Sequence, residues 1–490
     1  MEASNLQIYW HESQPIYSLC FQPSQDAKPK LVTAGGDNRI RVWHLNFDEV
    51  SKNKIDTIDY LSSLNQHEQA VNVVRFNHSG DILASAGDDG QLLLWKLNET
   101  KIKEFGVDEA EFEEFNETWS VWKRLRSGGG GGAYEIYDIA WSPQDEYIVT
   151  GSMDNSIRIF HVTSGECISH LTDHNHYVQG VFWDPLDQYI ISQSADRAVH
   201  VYEIIRSQGQ DDKLQIKLKN KIMKCELPQW QKDTDRLDLT KTKLSFLFHN
   251  ETLPSFFRRP AISSCGSLFC IPAGIMKSDA GPETAGSSDS NSAVYLYTRA
   301  SIKSGSNKPS MCLPFLKKPA IAVSFHPCLY ELSPNNTSYL KLPYKLVFAV
   351  ATSNEVLIYD TENVKPLAIV GNLHYTPLTD LAWSPDGNLL MISSTDGFCS
   401  YISFHADTFG RRISAENSAR LLATFQSSET LEKPKGPLTA ATKVSSGDIV
   451  NILPIKRKDS TRDNKLTNES DDTNTQDDKG KRRVQPTLVT

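Results

Sequence analysis

The stretch HEQAVNVVRFNHSGDILASAGDDGQLLLWKL, residues 67–97, decides how the rest of this chain is read. It holds an alternating apolar run ending at Phe76, a turn at Ser79-Gly80 and a second apolar run, Ile82-Leu83-Ala84. A tight turn at Asp88-Asp89-Gly90 then leads into LLLW. Apolar runs of this length between turn residues specify short strands. Glycine supplies the positive φ that hairpin turns demand. The reading is three antiparallel strands. Residues 174–202, HNHYVQGVFWDPLDQYIISQSADRAVHVY, repeat the pattern with the same internal spacing.

Two rulers carry the repeat along the chain. An aspartate six residues before an aromatic pairs Asp37 with Trp43, Asp89 with Trp95, Asp154 with Phe160 and Asp196 with Tyr202. Weaker copies pair Asn291 with Tyr297 and Ser353 with Tyr359, and a last one keeps Asp396 but has Ile402 in the aromatic place. The second ruler is an aromatic followed two residues on by proline, at Phe21-Pro23, Trp141-Pro143, Trp183-Pro185, Phe325-Pro327 and Trp383-Pro385. The first ruler counts seven units. One small antiparallel sheet can bury neither its faces nor its edges, whereas sheets arranged radially bury each other and close a ring.

The repeat resembles the WD40 family, over roughly residues 5–405. The resemblance implies that a histidine, a serine or threonine, an aspartate and a tryptophan bond across each blade. His67, Ser85, Asp89 and Trp95 fill all four places. His174, Ser192 and Asp196 fill three, with Tyr202 replacing tryptophan, and His374 and Asp396 keep part of the set. The expectation is an all-β chain, a seven-bladed WD40 β-propeller over residues 1–410, with a disordered C-terminal tail from 411 to 490. Insertions are expected at about 98–132, 206–250 and 274–291. LQIYW, residues 6–10, is placed to close the last blade as an extra strand. A His/Ser/Asp set is also the composition of a hydrolase triad. Its recurrence at repeat spacing makes it a structural network, so no catalytic residue is expected.

Composition narrows the function further. The formal charge of −9 over 490 residues excludes a DNA-binding polycation. The eight cysteines include no CxxC pair, so neither a metal site nor a redox pair is expected. The run GGGGG, residues 128–132, lacks the lysine and the strand–helix setting of a phosphate loop, and no cofactor is expected. MEASNLQIYW has no signal-peptide pattern and no run reaches 18 apolar residues, which points to an intracellular chain without a membrane span.

The interruptions between blades carry chemistry of their own. EFGVDEAEFEEFNETWSVWKRLRSGGGGG, residues 104–132, packs seven acidic residues between Glu104 and Glu117, interleaved with Phe112 and Phe115 and followed by Trp119 and Trp122. It reads either as a solvated loop or as a docking element for a basic partner, with exposed aromatic anchors. LQIKLKNKIMK, residues 214–224, opens as an outer strand whose lysines guard an edge. Residues 229–243 read as surface loop, with aspartates that oppose a nucleic-acid patch.

EQAVNVVRFNHSGDILASAGDDG, HYVQGVFWDP, FHNETLPSFFRRPAISSCG, LKLPYKLVFAVAT and NLHYTPLTDLAWSPDG together resemble the WD-repeat, middle-subunit family of chromatin assembly factor 1 in its fungal form, itself similar to the histone regulator HIRA. The resemblance implies a non-catalytic subunit of a nuclear, three-part chaperone that places histones H3 and H4 on replicated or repaired DNA. Its partners would be the large and small subunits of that complex and the anti-silencing histone chaperone. Histones would be met mostly through those partners, with little direct DNA binding and no membrane. Carried over, the tail motif that binds the anti-silencing chaperone falls on Arg482, Arg483, Val484, Pro486 and Leu488, in GKRRVQPTLV, residues 480–489. IVNILPIKRK, residues 449–458, offers a second element through Ile452, Pro454, Lys456 and Arg457, without the arginine-first order.

Read from its residues alone, the tail lacks aromatics beyond about residue 430 and is rich in polar residues, the signature of disorder. An extended RRVQPTLV can add to a partner's sheet edge, its arginines pairing with carboxylates. Lys481-Arg482-Arg483 also reads as an import signal. A substrate receptor of a ubiquitin ligase is the functional alternative, although no adaptor-binding surface is recognisable in the sequence.

Overall fold

The computed structural model describes residues 1–431, apart from 24–28, 49–53, 104–106, 127–133, 207–213, 232–235, 278–289, 335–339 and 341. Seven four-stranded antiparallel sheets form the blades of a β-propeller. Blade 1 runs Ile16–Phe21, Lys30–Gly35, Ile40–Phe47 and Ile55–Leu64, and blade 2 runs Val71–Phe76, Ile82–Gly87, Gln91–Leu97 and Trp119–Arg126. The sheet that starts at Ile136–Trp141 is blade 3, and blades 4 to 7 begin at Val178–Trp183, Ala261–Ile262, Ala320–Phe325 and Leu378–Trp383. The ruler aspartates have a backbone reason. Asn38, Gly90, Asn155, Arg197 and Gly397, each directly after one, sit at positive φ in the turn between the second and third strands. Asparagine and glycine tolerate that conformation best.

Burial follows the ring. The buried apolar residues form seven clusters, each shared by two neighbouring blades. Leu19, Leu31 and Trp43 of blade 1, for instance, meet Leu389, Met391 and Tyr401 of blade 7. Each sheet is therefore half of two cores and none stands alone.

Closure comes from the N-terminus, in a different register from the one the sequence suggests. Glu2–Leu6 pairs antiparallel with the third strand of blade 7, from Glu2 opposite Ser403 to Leu6 opposite Cys399. LQIYW is not a continuous strand. Trp10 and His11 are both buried, and consecutive inward residues break the alternation a strand requires. Trp10 packs edge-on against Trp43 at 5.0 Å, and its indole N–H donates to the Leu6 carbonyl.

Three other segments differ from their sequence reading. Trp119–Arg126 is the outer strand of blade 2 rather than part of an insertion. Arg236–Phe246 pairs with Lys224–Gln231 in a two-stranded hairpin between blades 4 and 5, in place of the surface loop that its composition suggests. Ala415–Leu431 is a helix at the start of the expected tail. Ile413, Leu421 and Leu422 pack against the cluster of blades 5 and 6, which orders this part of the chain.

Arg258-Arg259-Pro260 precedes the inner strand of blade 5 and binds the blades on either side. The Arg258 N–H donates to the Gln179 carbonyl of blade 4, and the Arg259 N–H donates to the Ile321 carbonyl of blade 6. Gly180 makes the approach feasible, because a Cβ there would lie 1.9 Å from the Arg258 carbonyl oxygen. The Arg259 side chain then crosses the axis. It donates to the carbonyls of Tyr17 in blade 1 (3.2 Å), Asn72 in blade 2 (2.8 Å) and Thr379 in blade 7 (3.2 Å). It also pairs with Asp380 at 2.9 Å and lies 3.6 Å from Asp138 of blade 3. Arg75 and the Ser18 hydroxyl complete the shell of Asp380. Burial alone would raise the Asp380 carboxyl, but the two guanidiniums hold it below its ordinary value. Asp138, less closely paired, is pushed up by burial.

Removing one member of such a group strands the others without water. Arg259→Met is expected to destabilise the propeller by about 3 kcal/mol or more, read as a lower thermal midpoint. Arg259→Met/Asp380→Asn should recover part of that loss, and an unchanged midpoint in the single variant would contradict the arrangement.

Candidate functional site

The histidine networks carry the residues of a hydrolytic triad. His67 sits on the loop entering blade 2, Asp89 on the turn between its second and third strands, and Ser85 and Trp95 on those strands. His67 Nδ1 lies 2.8 Å from the Asp89 carboxylate and its Nε2 lies 2.7 Å from the Ser85 hydroxyl, which also accepts the Trp95 indole N–H at 2.8 Å. Burial raises the Asp89 carboxyl, but His67 and the backbone N–H groups of Glu68 and Gln91 outweigh it and hold it low. Every ring nitrogen and the hydroxyl are committed inside the blade, and Ser85 is fully buried. Such a set fastens strands. It offers a substrate neither access nor a free nucleophile.

Blade 4 repeats it, with His174 3.0 Å from Asp196 and 2.7 Å from Ser192. In blade 7, His374 meets Asp396 at 3.0 Å and takes Ser400, at 2.8 Å, as its hydroxyl partner. Blade 1 holds a complete network that the sequence reading missed. His11 bonds Asp37 (2.7 Å) and Thr33 (2.9 Å), and the Trp43 indole donates to Thr33 at 2.9 Å. The signal was present but displaced: His11 precedes its aspartate by 26 residues, where His67, His174 and His374 precede theirs by 22.

His174, Asp196 and His200 bring three potential metal donors within 4.8 Å of one another. The His174 and His200 rings, however, stack face to face, 3.6 Å apart and 5° from parallel. Imidazole lone pairs lie in the ring plane, so two stacked rings cannot both aim at one ion at the usual ~2.0–2.1 Å. The group is a packing arrangement.

The acidic segment of blade 2 is folded down rather than free. Asp108 caps the short helix Glu109–Glu114. Its carboxylates meet cations of blade 1: Glu111 pairs with Arg39, and Glu117 with Lys30 at 2.7 Å. Of the four aromatics considered as anchors, Phe115 and Trp119 are buried. Phe115 packs against Tyr60 at 6.0 Å, and Trp119 packs against Phe76 while its indole donates to Glu117. Phe112 is half-buried against Phe115. Trp122 keeps an exposed face, with Lys96 4.1 Å and Lys123 4.8 Å from its ring. A basic partner would therefore meet Trp122 already flanked by lysines, an unfavourable setting. Arg482, Arg483, Val484, Pro486 and Leu488, and likewise Ile452, Pro454, Lys456 and Arg457, lie outside the described residues.

Buried histidines give the fold a pH signature: burial lowers the His11 imidazole and takes that of His249 to about 4. Burial depresses the His200 imidazole to about 3 and the His326 imidazole to about 4, against an ordinary value of 6.5. Between pH 6.5 and 4 the unfolded chain binds protons that the folded chain refuses, so stability falls as pH falls. The limiting slope is about 1.4 kcal/mol per pH unit for each histidine. The thermal midpoint should drop between pH 7 and 5, less steeply in His200→Leu, and a flat or rising midpoint would contradict the assignment.

The profile of the CAF1B/HIR1 beta-propeller domain matches residues 1–409. CAF1B of Saccharomyces cerevisiae, a chromatin assembly factor 1 subunit, is 50% identical over 489 residues, covering 93% of this chain and 96% of that protein. The Schizosaccharomyces pombe protein of the same name is 40% identical, covering 84% of this chain and 89% of its own length. Protein HIR1 of Yarrowia lipolytica is 24% identical and is covered over 39% of its length. A propeller profile spanning all seven blades, with relatives of this identity along nearly the whole chain, places the protein in the CAF1B/HIR1 β-propeller family.

Proposed function

We propose that this chain is the scaffold subunit of a nuclear histone H3–H4 chaperone of the chromatin assembly factor 1 type, and that its C-terminal segment engages the anti-silencing histone chaperone. The observation that carries this reading is the 50% identity to a CAF1B protein, which extends over 93% of this chain and 96% of the relative. Internally committed histidine networks and a filled axis suit a rigid holder, not a catalyst. In this reading the propeller is held by the large subunit and the tail captures the chaperone that delivers histones. Tethering the delivered histones to the assembly raises their effective concentration near the acceptor without a permanent bond. Arg482 and Arg483 supply paired contacts to carboxylates, Val484 and Leu488 supply apolar contacts along a sheet edge, and Pro486 limits the unbound ensemble.

Calorimetry with purified anti-silencing chaperone tests this, comparing the wild type with Arg482→Ala/Arg483→Ala/Val484→Ala. Affinity should fall by about tenfold or more with the thermal melt unchanged. Undiminished binding would contradict the assignment and leave Lys481-Arg482-Arg483 as an import signal, with residues 449–458 next to be substituted.

A further inference from the structure

A cleft of about 750 Å³ opens on the flank of the ring, between the outer strand of blade 2 and the outer strands of blade 3, Ile157–His161 and Cys167–Leu171. Arg124, Arg126, Arg158 and His170 line it, with Tyr134 adding exposed ring surface. The one carboxylate in the lining, Asp154, is already taken by the Arg158 guanidinium and the Ser156 hydroxyl. Arg124 spends its donors on the neutral side chains of Gln91 and Gln66. Among the described residues, the Arg126 guanidinium has no hydrogen-bond or ion-pair partner. The boundary of blades 1 and 2 is the opposite case, because Lys30 and Arg39 are met there by Glu117 and Glu111. In a chain of net charge −9, this cleft brings Arg124 and Arg126 together without a carboxylate of their own among the described residues.

We propose that the cleft binds an extended, carboxylate-rich segment of a protein partner, a site beyond the tail contact argued above. Arg124 and Arg126 are alternate residues of one strand and both are exposed. Alternate residues of a strand lie on one face, about 7 Å apart, the same repeat as alternate side chains of an extended peptide. Each guanidinium can take a carboxylate through two parallel hydrogen bonds. Tyr134, with an exposed ring, gives the peptide backbone and its apolar groups a surface that phosphate recognition does not need. Nucleic acid fits less well: three guanidiniums, one of them already paired, would neutralise too few phosphates to hold a strand at physiological salt.

The test uses the full chain and a fluorescein-labelled (Glu-Ala)5 peptide, followed by anisotropy at low salt. Binding should saturate and weaken by about tenfold or more in Arg124→Glu/Arg126→Glu. Both side chains are exposed, so the thermal midpoint should stay put. Cys167 gives a second readout, because this exposed thiol lies in the lining. The acidic peptide should slow its alkylation by N-ethylmaleimide, measured by mass spectrometry, while (Lys-Ala)5 should not. Absence of saturable binding, undiminished binding in the double variant, or an unprotected Cys167 would overturn the proposal. Tighter binding of a ten-nucleotide single strand that displaces the peptide would also overturn it, in favour of a nucleic-acid site.

Discussion

One guanidinium ties this ring together. Arg259 stands ahead of the inner strand of blade 5, yet its side chain reaches blades 1, 2, 3 and 7, and its backbone is bonded to blade 6. A charge in such a place gains little net stability over an apolar filler, because desolvation offsets most of the attraction. What it contributes is position. Three carbonyls and two carboxylates, aimed inward from four blades, are satisfied together only when those blades stand at one distance from the axis. Gly180 is part of the same constraint, since any side chain there would push the arginine segment off blade 4.

Around that centre the energetics are those of neighbours. Each apolar cluster belongs to two blades, so a blade that loosens removes half the core of the next one. The strand Glu2–Leu6 contributes mainly backbone bonding, because its own side chains are largely exposed. Trp10 and His11, just beyond it, fix that strand to blade 1 through the Trp43 contact and the Asp37–Thr33 network. The seam between first and last blade is thereby packed as well as hydrogen-bonded.

Much of this was legible because repeats make their own controls. The aspartate ruler marks left-handed turns, which few residues tolerate, so its signal survives sequence drift at positions that only need to be apolar. The network of His67, Ser85, Asp89 and Trp95 could be read whole for the same reason. Where the reading fell short, the deciding contacts were non-local. His11 was hidden by a longer loop. Phe115 and Trp119 looked like exposed anchors among carboxylates, but Tyr60 and Lys30 of the preceding blade cover them. The helix Ala415–Leu431 has a polar composition and is held at its start by Leu421 and Leu422 against blades 5 and 6, a surface that exists only once the ring has formed. Arg259 was visible only as part of a family signature, since no local pattern announces that a side chain will cross an axis.

The proposed function divides labour between a rigid ring that joins an assembly and a chain beyond it that recruits. The direct measurement is native mass spectrometry of residues 1–431 mixed with the large subunit of chromatin assembly factor 1, alongside the full chain. The account predicts that both bind the large subunit with one stoichiometry, while only the full chain adds the anti-silencing chaperone. A shortened chain that fails to join the large subunit, with an unchanged melt, would contradict it by moving the scaffold's contact from the propeller to the tail.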